Sequence, residues 1–147
     1  NDAVQAVTRL VDMGIDPFLV SSSVILVAAQ RLVPRLCEHC RVKVDVPRKE
    51  LLAVSVLETE LDDLQLYGPN VAGCPRCKSG YRGRMALLET LPLSHHLKRM
   101  VVEGRSVAEM KKQGLDDGML TLRRIGVLNA MRGKTSLEEV LRITMGD

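Results

Sequence analysis

Two helices are predicted at the start of the chain from the spacing of its apolar residues. Apolar side chains between Ala3 and Val11 recur at three- and four-residue steps, which is typical of one face of a helix. Asp2 is placed to cap this helix and Gly14 to end it. Asp16 and Pro17 then supply the cap and the first turn of a second helix.

The second predicted helix has no polar face. From Phe18 to Ala29 it is apolar nearly all round, apart from its serines. A helix of this kind must be buried on several sides. Because little chain precedes it, we expect that the sequence begins inside a larger domain and that much of the core lies upstream.

Two short strands are predicted on either side of a long excursion. Leu32 to Leu36 and Met85 to Leu91 have the apolar character of strands that pair, which leaves residues 37–84 between them. So long a segment needs its own order. Within it we expect a helix from Pro47 to about Leu57, an acidic turn near residues 60–63, a turn at 67–70 and a flexible polar run at 81–84.

The last third of the chain is predicted to be helical. A first helix runs from Ser94 to Glu103 and ends at Gly104. Ser106 and Ser136 are each followed three residues later by glutamate, the pattern of a capping box. A further helix is expected over residues 117–131. We therefore predict a small bundle of about four short helices.

All four cysteines fall in two Cys-x-x-Cys pairs. The first pair is Cys37 and Cys40, and the second is Cys74 and Cys77. Cys-x-x-Cys spacing lets one short turn aim two sulfurs at a single point, so two such turns supply the four thiolates of a tetrahedral site. Zinc is the metal we expect. A site closed by four thiolates is structural, because catalytic zinc keeps one position open.

Other uses of these cysteines fit the sequence less well. A redox dithiol needs only one pair, at a helix start in a βαβ context that neither pair has. Two disulfides require secretion, and no signal peptide begins the chain. His39 stands inside the first pair, where a solvent-facing role is favoured over ligation. Iron takes the same ligand spacing as zinc, so the two metals stay open.

Composition narrows the class of protein. The chain has 147 residues, 46% hydrophobic and 27% charged, which is ordinary for a soluble domain. A net charge of +3 and only 2% aromatic residues argue against nucleic acid as a partner. No apolar run approaches the roughly 18 residues of a membrane span. We therefore expect a soluble, intracellular protein.

Three residues resemble the end of a nucleotide-binding motif, but the sequence does not contain the complete motif. Gly133, Lys134 and Thr135 look like the end of a phosphate-binding loop, Gly-x-x-x-x-Gly-Lys-Thr. The first glycine of that motif falls on Leu128, and a helix rather than a strand is predicted before it. Gly133 is better interpreted as a helix stop.

Many short motifs, in one order along the chain, carry a resemblance to a family. They are Asn1-Asp2-Ala3, Ala6 to Leu10, Asp12-Met13-Gly14, Pro17-Phe18-Leu19, Ala29 to Leu32, Arg35-Leu36-Cys37, Cys40, Cys74, Cys77, Gly80 to Arg84, Glu89, Met119, Thr121-Leu122-Arg123, Gly133 and Thr135 to Val140. Together they resemble the C-terminal part of the type II secretion and type IV pilus assembly ATPases. The resemblance is weakest across residues 45–70.

The resemblance implies an α/β fragment, the C-terminal portion of a RecA-like P-loop NTPase domain with an inserted four-cysteine zinc module. Residues 1–36 would end the RecA-like core, 37–84 would form the zinc module, 85–93 would return a strand to the core, and 94–147 would form a C-terminal helical subdomain. The metal ligands carried over are the four cysteines. No catalytic residue is carried over, because the resemblance places the motifs that bind ATP and Mg²⁺ upstream.

The resemblance also implies a function and partners. The parent would be a homo-hexameric motor that hydrolyses ATP in the cytoplasm, peripheral to the inner membrane, and acts on an inner-membrane platform protein of the secretion or pilus machine. This part alone would not hydrolyse ATP. We hypothesise that the metal module is a rigid lever or docking surface and that Arg82 and Arg84 contact the partner. In the other interpretation the module only stabilises its own loop. The alternatives are a zinc-ribbon module for nucleic acid, whose binding weakens steeply with salt, and a rubredoxin-like iron electron carrier.

Overall fold

A computed structural model gives the fold of residues 2–146, the part of the chain that it describes. Helices and strands alternate irregularly, and a single 3₁₀ turn lies at Glu58–Glu60. In chain order the elements are α1 (Ala3–Asp12), α2 (Pro17–Ser23), β1 (Leu26–Leu36), β2 (Val42–Val44), α3 (Arg48–Ala53), β3 (Leu66–Gly68), β4 (Tyr81–Pro92), α4 (His95–Glu103), α5 (Val107–Asp116), α6 (Leu122–Met131) and α7 (Leu137–Ile143).

The first two helices begin where the sequence predicts. The Asp2 carboxylate accepts a hydrogen bond of 2.8 Å from the Gln5 backbone N–H and caps α1. The Asp16 carboxylate accepts one of 2.7 Å from the Phe18 N–H and caps α2, with Pro17 in the first turn. Side-chain oxygens that satisfy the free N–H groups of a helix start fix its first residue.

The predicted length of the second helix is wrong. It ends at Ser23 instead of Ala29, and the chain is extended again from Leu26. Two causes act together: β-branched valine and isoleucine follow the serines, and the Ser21 hydroxyl donates back to the Phe18 carbonyl at 3.0 Å. Within this chain Phe18 is 67% exposed, and the expected burial against residues upstream stays a prediction.

The long strands pair, as predicted, but both are longer than the pattern indicates. β1 and β4 form a two-stranded sheet. Because β4 begins at Tyr81, the run that we predicted to be flexible at residues 81–84 belongs to a strand.

A second sheet pairs β2 antiparallel with β3, with Lys43 opposite Tyr67. The predicted turn at 67–70 lies three residues later, at 70–73, where the Gly73 N–H donates to the Asn70 carbonyl at 2.8 Å. The predicted helix at 47–57 is only α3.

The chain divides into two compact units. Unit 1 comprises the residues up to Gln30 together with Leu88–Thr121, and unit 2 comprises Arg31–Leu87 together with the residues from Leu122 onward. Strands β1 and β4 pass from one unit into the other. Helices α4 and α5 lie in unit 1 and α6 and α7 in unit 2. The four predicted C-terminal helices are present, with two of them in each unit.

Each unit has its own apolar core. The core of unit 1 is built mainly by helix faces: Ala3, Val4, Val7, Val20, Leu91, Leu93, Leu97, Met100, Val101, Met110 and Met119. The core of unit 2 is smaller, and three of its members come from α6 and α7: Leu51, Val56, Leu66, Val127, Ala130 and Val140. Over residues 2–146, no helix has both the length and the apolar character that crossing a bilayer requires.

Candidate metal centre

Backbone hydrogen bonds hold the two cysteine turns together. Cys37 directly follows β1, and its N–H donates to the Gly80 carbonyl just beyond the second pair, at 2.8 Å. Within the first turn the Arg41 N–H donates to the Cys37 carbonyl at 3.0 Å, and within the second the Cys77 N–H donates to the Cys74 carbonyl at 3.1 Å. The sequence thus forms two tight turns that face one another.

Gly80 is required where the second turn closes. Its φ is +86°, and a Cβ atom there would lie 2.6 Å from the Pro69 Cβ and 2.7 Å from the Asn70 backbone nitrogen. Both the backbone angle and the close approach exclude a larger residue. Because the Gly80 carbonyl also accepts the Cys37 N–H, this glycine fixes the distance between the two cysteine pairs.

The four sulfur atoms lie together at tetrahedral spacing. All four Sγ atoms are within 4.8 Å of one another. The Cys37–Cys74 sulfur distance is 3.8 Å, and the Cys40–Cys77 and Cys74–Cys77 distances are both 3.6 Å. A metal with bonds of about 2.3 Å to four thiolates separates the sulfurs by about 3.8 Å. The donor set therefore fits a four-thiolate metal ion, and all four cysteines are free thiols.

The sulfurs strongly influence one another's protonation. Burial, followed by hydrogen bonds with the three other cysteines, raises the pKa of Cys40 to about 12. Burial also acts to raise that of Cys77, but backbone N–H groups of Cys74 and Gly80 donate to its sulfur and lower its pKa to about 7. Four thiolates this close repel one another, and a divalent cation between them removes that repulsion.

His39 does not belong to the sulfur cluster. Its ring nitrogens lie 3.1 and 3.3 Å from Nη1 of Arg76, and both side chains are exposed. Within residues 2–146, the cysteines form the one group of at least three histidine, cysteine or acidic side chains close enough to share a metal ion. The histidine therefore faces solvent and Arg76, as the sequence favoured.

The loop between α6 and α7 supports the first cysteine turn, which the sequence did not reveal. The Leu36 N–H donates to the Lys134 carbonyl at 2.9 Å, and the Thr135 hydroxyl donates to the Pro34 carbonyl at 2.8 Å. Arg41 donates to the Gly133 carbonyl and stacks on the Tyr67 ring, 4.2 Å from its centroid. These partners are about a hundred positions apart, so no local pattern indicates them.

Gly133 is a helix stop, as the sequence predicts. Its φ is +69°, and a Cβ there would lie 2.4 Å from the Arg41 guanidinium. Ser136 follows as the cap of α7, with its hydroxyl accepting the Glu139 N–H at 3.3 Å. The same hydroxyl is hydrogen-bonded to that of Tyr81 at 2.9 Å.

The two arginines of the proposed contact surface lie in β4. Both Arg82 and Arg84 are exposed. Neither guanidinium has a hydrogen bond or an ion pair with any residue between 2 and 146. Gly83 between them has a φ of +71°. Both charges are therefore available to an external group.

Comparison with known proteins identifies the family. The family model of the type II/IV secretion system protein matches residues 1–142. The chain belongs to this family. Among its relatives, the type IV pilus assembly ATPase PilB of Thermus thermophilus is 42% identical over 146 residues, and PilB of Pseudomonas aeruginosa is 40% identical over 144. The type II secretion system protein HxcR of Pseudomonas aeruginosa is 40% identical over 145 residues.

These relatives are much longer than this chain. The alignments cover 99%, 98% and 98% of it, but only 16%, 25% and 26% of the three relatives. The chain thus spans between 16% and 26% of the length of these three relatives. The resemblance identified from the short motifs is confirmed, and so is the small α/β character of this member of the family.

Proposed function

We propose that this chain is the C-terminal part of an ATPase that powers type II secretion or type IV pilus assembly, and that it carries a structural zinc site. The observation that supports this most directly is the cluster of four cysteine sulfurs within 4.8 Å of one another. It occurs in a chain about 40% identical to proteins named as type IV pilus assembly ATPases. The ligands are Cys37, Cys40, Cys74 and Cys77.

Zinc supplies a cross-link in this proposal. It joins the turn that ends β1 to the turn that precedes β4, and so closes residues 37–84 into one body. This segment, which we call the cysteine module, has three-residue strands and a six-residue helix. Elements of that size do not persist alone, so much of the metal-binding free energy is folding free energy.

The proposal extends to the arrangement of the parent protein. We propose that residues 1–36 and 85–93 belong to a RecA-like core, that the cysteine module projects from it, and that 94–147 form a helical subdomain. The motor is a homo-hexamer at the cytoplasmic side of the inner membrane, and it acts on a platform protein there. ATP and Mg²⁺ bind elsewhere in the parent, so this part alone does not hydrolyse ATP.

Metal content tests the proposed site. Elemental analysis of the purified chain, with an absorption spectrum of the same sample, should give about one zinc per chain and no visible colour. Iron with visible absorption would instead support a rubredoxin-like electron carrier. Absence of any metal in freshly prepared protein would contradict the structural site.

Charge reversal tests the contact surface. Replacing Arg82 and Arg84 together by glutamate in the full-length motor should reduce pilus or pseudopilus assembly while the metal content stays unchanged. The matched control is Lys49 and Lys112 replaced by glutamate, because both are exposed lysines outside β4. Normal assembly in the β4 variant would remove the contact surface from the proposal and leave the metal site standing.

A further inference from the structure

A cavity lies beside the first cysteine turn. Its volume is about 320 Å³, which is enough for one side chain and the adjoining backbone of a bound peptide. The buried residues Leu36 and Cys37 are part of its wall. The remaining lining residues are polar or charged: Arg35, Glu38, His39 and Arg82.

Of the two arginines that line this cavity, one has an ion-pair partner and the other has none among the described residues. Arg35 has a partner in Glu38, whose Oε1 lies 3.7 Å from its Nη2. Arg82 has none among the described residues of the chain. A guanidinium presents paired N–H donors that fit the two oxygens of a carboxylate. The cavity therefore holds one guanidinium whose donors remain free for a ligand.

Glu38 shows which kind of group suits this environment. The Glu38 carboxylate already lies beside the Arg35 guanidinium in the wall of the cavity. This ion pair is weak, because the Arg35 side chain is 48% exposed and the Glu38 side chain is 69% exposed. Exposed ion pairs of this kind contribute only about 0–1 kcal/mol. An incoming carboxylate can therefore displace Glu38 or share its arginine at little cost, and Glu38 acts as a competitor within the chain.

The neighbouring charges favour an anionic ligand. Four thiolates around a divalent ion would carry a formal charge of minus two, and Glu38 adds to it. Six cations on the two cysteine turns and the strand ends beside them exceed this charge by three: Arg35, Arg41, Arg76, Lys78, Arg82 and Arg84. A carboxylate fits this cavity, because Glu38 already presents one to Arg35 in its wall. Aspartate or glutamate side chains of a protein supply such a group.

We propose that this cavity, centred on Arg82, binds a glutamate or aspartate side chain of an acidic segment of the protein on which the motor acts. This inference rests on the proposed function, which it makes more specific. It gives the two exposed arginines of β4 different roles. Arg82 binds the carboxylate inside the cavity, whereas Arg84 lies outside it and contributes only long-range attraction.

Binding of a hexaglutamate peptide tests the inference. The fluorescein-labelled peptide is titrated with the metal-loaded chain and followed by anisotropy at about 0.1 M salt, where charges more than about 10 Å apart are screened. Arg82→Gln should weaken binding about tenfold, because it removes a charge-assisted hydrogen-bonding partner. Arg84→Gln, matched in charge, strand and exposure, should weaken it only about twofold. Glu38→Gln should strengthen it severalfold.

The outcomes separate the cavity from a general basic surface. Equal losses for the two arginine variants, with no gain for Glu38→Gln, would overturn the cavity and leave the proposed motor function intact. Binding of vesicles containing phosphatidylglycerol, without binding of hexaglutamate, would overturn the acidic segment as the ligand. Competition by inorganic phosphate at concentrations that leave ionic strength unchanged would also overturn it. Metal content measured on every variant shows that the cysteine centre is retained.

Discussion

Unit 1 and the cysteine module of unit 2 bury very different amounts of apolar side chain. Unit 1 has a core of eleven buried apolar residues, nine from four helices and the end of β4 and two, Leu93 and Met119, from the connecting segments. The cysteine module buries Leu51, Val56 and Leu66, together with Cys37. Burial of a leucine or valine contributes about 1.5–3 kcal/mol. Burial of so few side chains offsets only a small part of the conformational entropy that the module loses when its chain is ordered.

This contrast explains why the cysteines are placed where they are. Helices of ten residues with capped ends and a continuous apolar face order unit 1 without further help. In the module, order depends on cross-links between its ends, namely the four sulfurs and the hydrogen bond from Cys37 to Gly80. The two parts of the chain should therefore respond to opposite perturbations.

Loss of one thiolate should have the largest effect. Cys77→Ser removes a ligand from the proposed centre, and the free energy of metal binding is then lost to folding. Hydrogen exchange in residues 37–84 should accelerate by at least about a hundredfold, while α4 and α5 keep their protection. Lys78→Gln, one residue away and exposed, should change neither. Unaltered exchange in the module of the serine variant would show that its few apolar contacts suffice.

Truncation of a core side chain of unit 1 should destabilise unit 1 and leave the cysteine module unchanged. Leu97 is 2% exposed, and Leu97→Ala should destabilise unit 1 by about 2–5 kcal/mol through lost burial and the cavity left behind. Thermal unfolding and hydrogen exchange of α4 and α5 measure this loss. Leu115→Ala, at a position 45% exposed, should cost far less. Release of metal from the Leu97 variant under native conditions would contradict the independence of the two parts.

The parts of the structure that the sequence predicted are those with a local cause. Cys-x-x-Cys spacing brings two sulfurs to one point, and an aspartate or serine before a helix satisfies its first N–H groups, so the cysteine turns and the helix starts were predictable. The helix expected up to Ala29 failed because an apolar run without polar positions has no period to separate helix from strand. Contacts such as Thr135 with Pro34 depend on the whole fold and have no signature in sequence.

An ion pair in unit 2 gives the next largest effect. Arg124 pairs with Glu60 and also donates to the Ser55 carbonyl at 2.8 Å, which ties residues 55–60 to α6. The Arg124 guanidinium, followed by the Leu57 N–H, lowers the pKa of Glu60 to about 2 from 4.5. Glu60→Gln should cost about 1–2 kcal/mol at pH 7, because the pair is partly exposed to solvent.

The pH dependence of this difference has a definite sign. Since the pKa of Glu60 is lower in the folded protein than in the unfolded chain, its stabilisation is complete above about pH 4.5 and declines as the pH falls towards 2. The stability difference between wild type and Glu60→Gln, measured by urea unfolding, should shrink over that range. Metal content is measured at each pH, because loss of the metal would disorder the cysteine module, to which Glu60 belongs. Glu58→Gln, which removes an exposed carboxylate 3.8 Å from Arg48, should show almost no difference at any pH.

A single hydroxyl should give the smallest measurable effect and still test how unit 2 is held together. Tyr81 at the start of β4 is hydrogen-bonded to the Ser136 hydroxyl at 2.9 Å, and burial raises its pKa, so it stays a neutral partner. Tyr81→Phe should cost about 0.5–1.5 kcal/mol in urea unfolding. Tyr67→Phe is the matched control, because the Tyr67 hydroxyl has no partner among residues 2–146 and the ring under Arg41 is kept.

A double-mutant cycle with Ser136→Ala isolates the contact from the helix cap that the same serine provides. The coupling free energy should be about 0.5–1 kcal/mol, with the remaining cost of Ser136→Ala assigned to the lost cap of α7. A coupling near zero would mean that Tyr81 does not help to attach the α6–α7 loop to the strands. The attachment would then depend on the Thr135 hydroxyl, which donates to the Pro34 carbonyl, and on the Leu36 N–H, which donates to the Lys134 carbonyl. The cysteine module would still be joined to α6 by Arg124 and to the α6–α7 loop by Arg41.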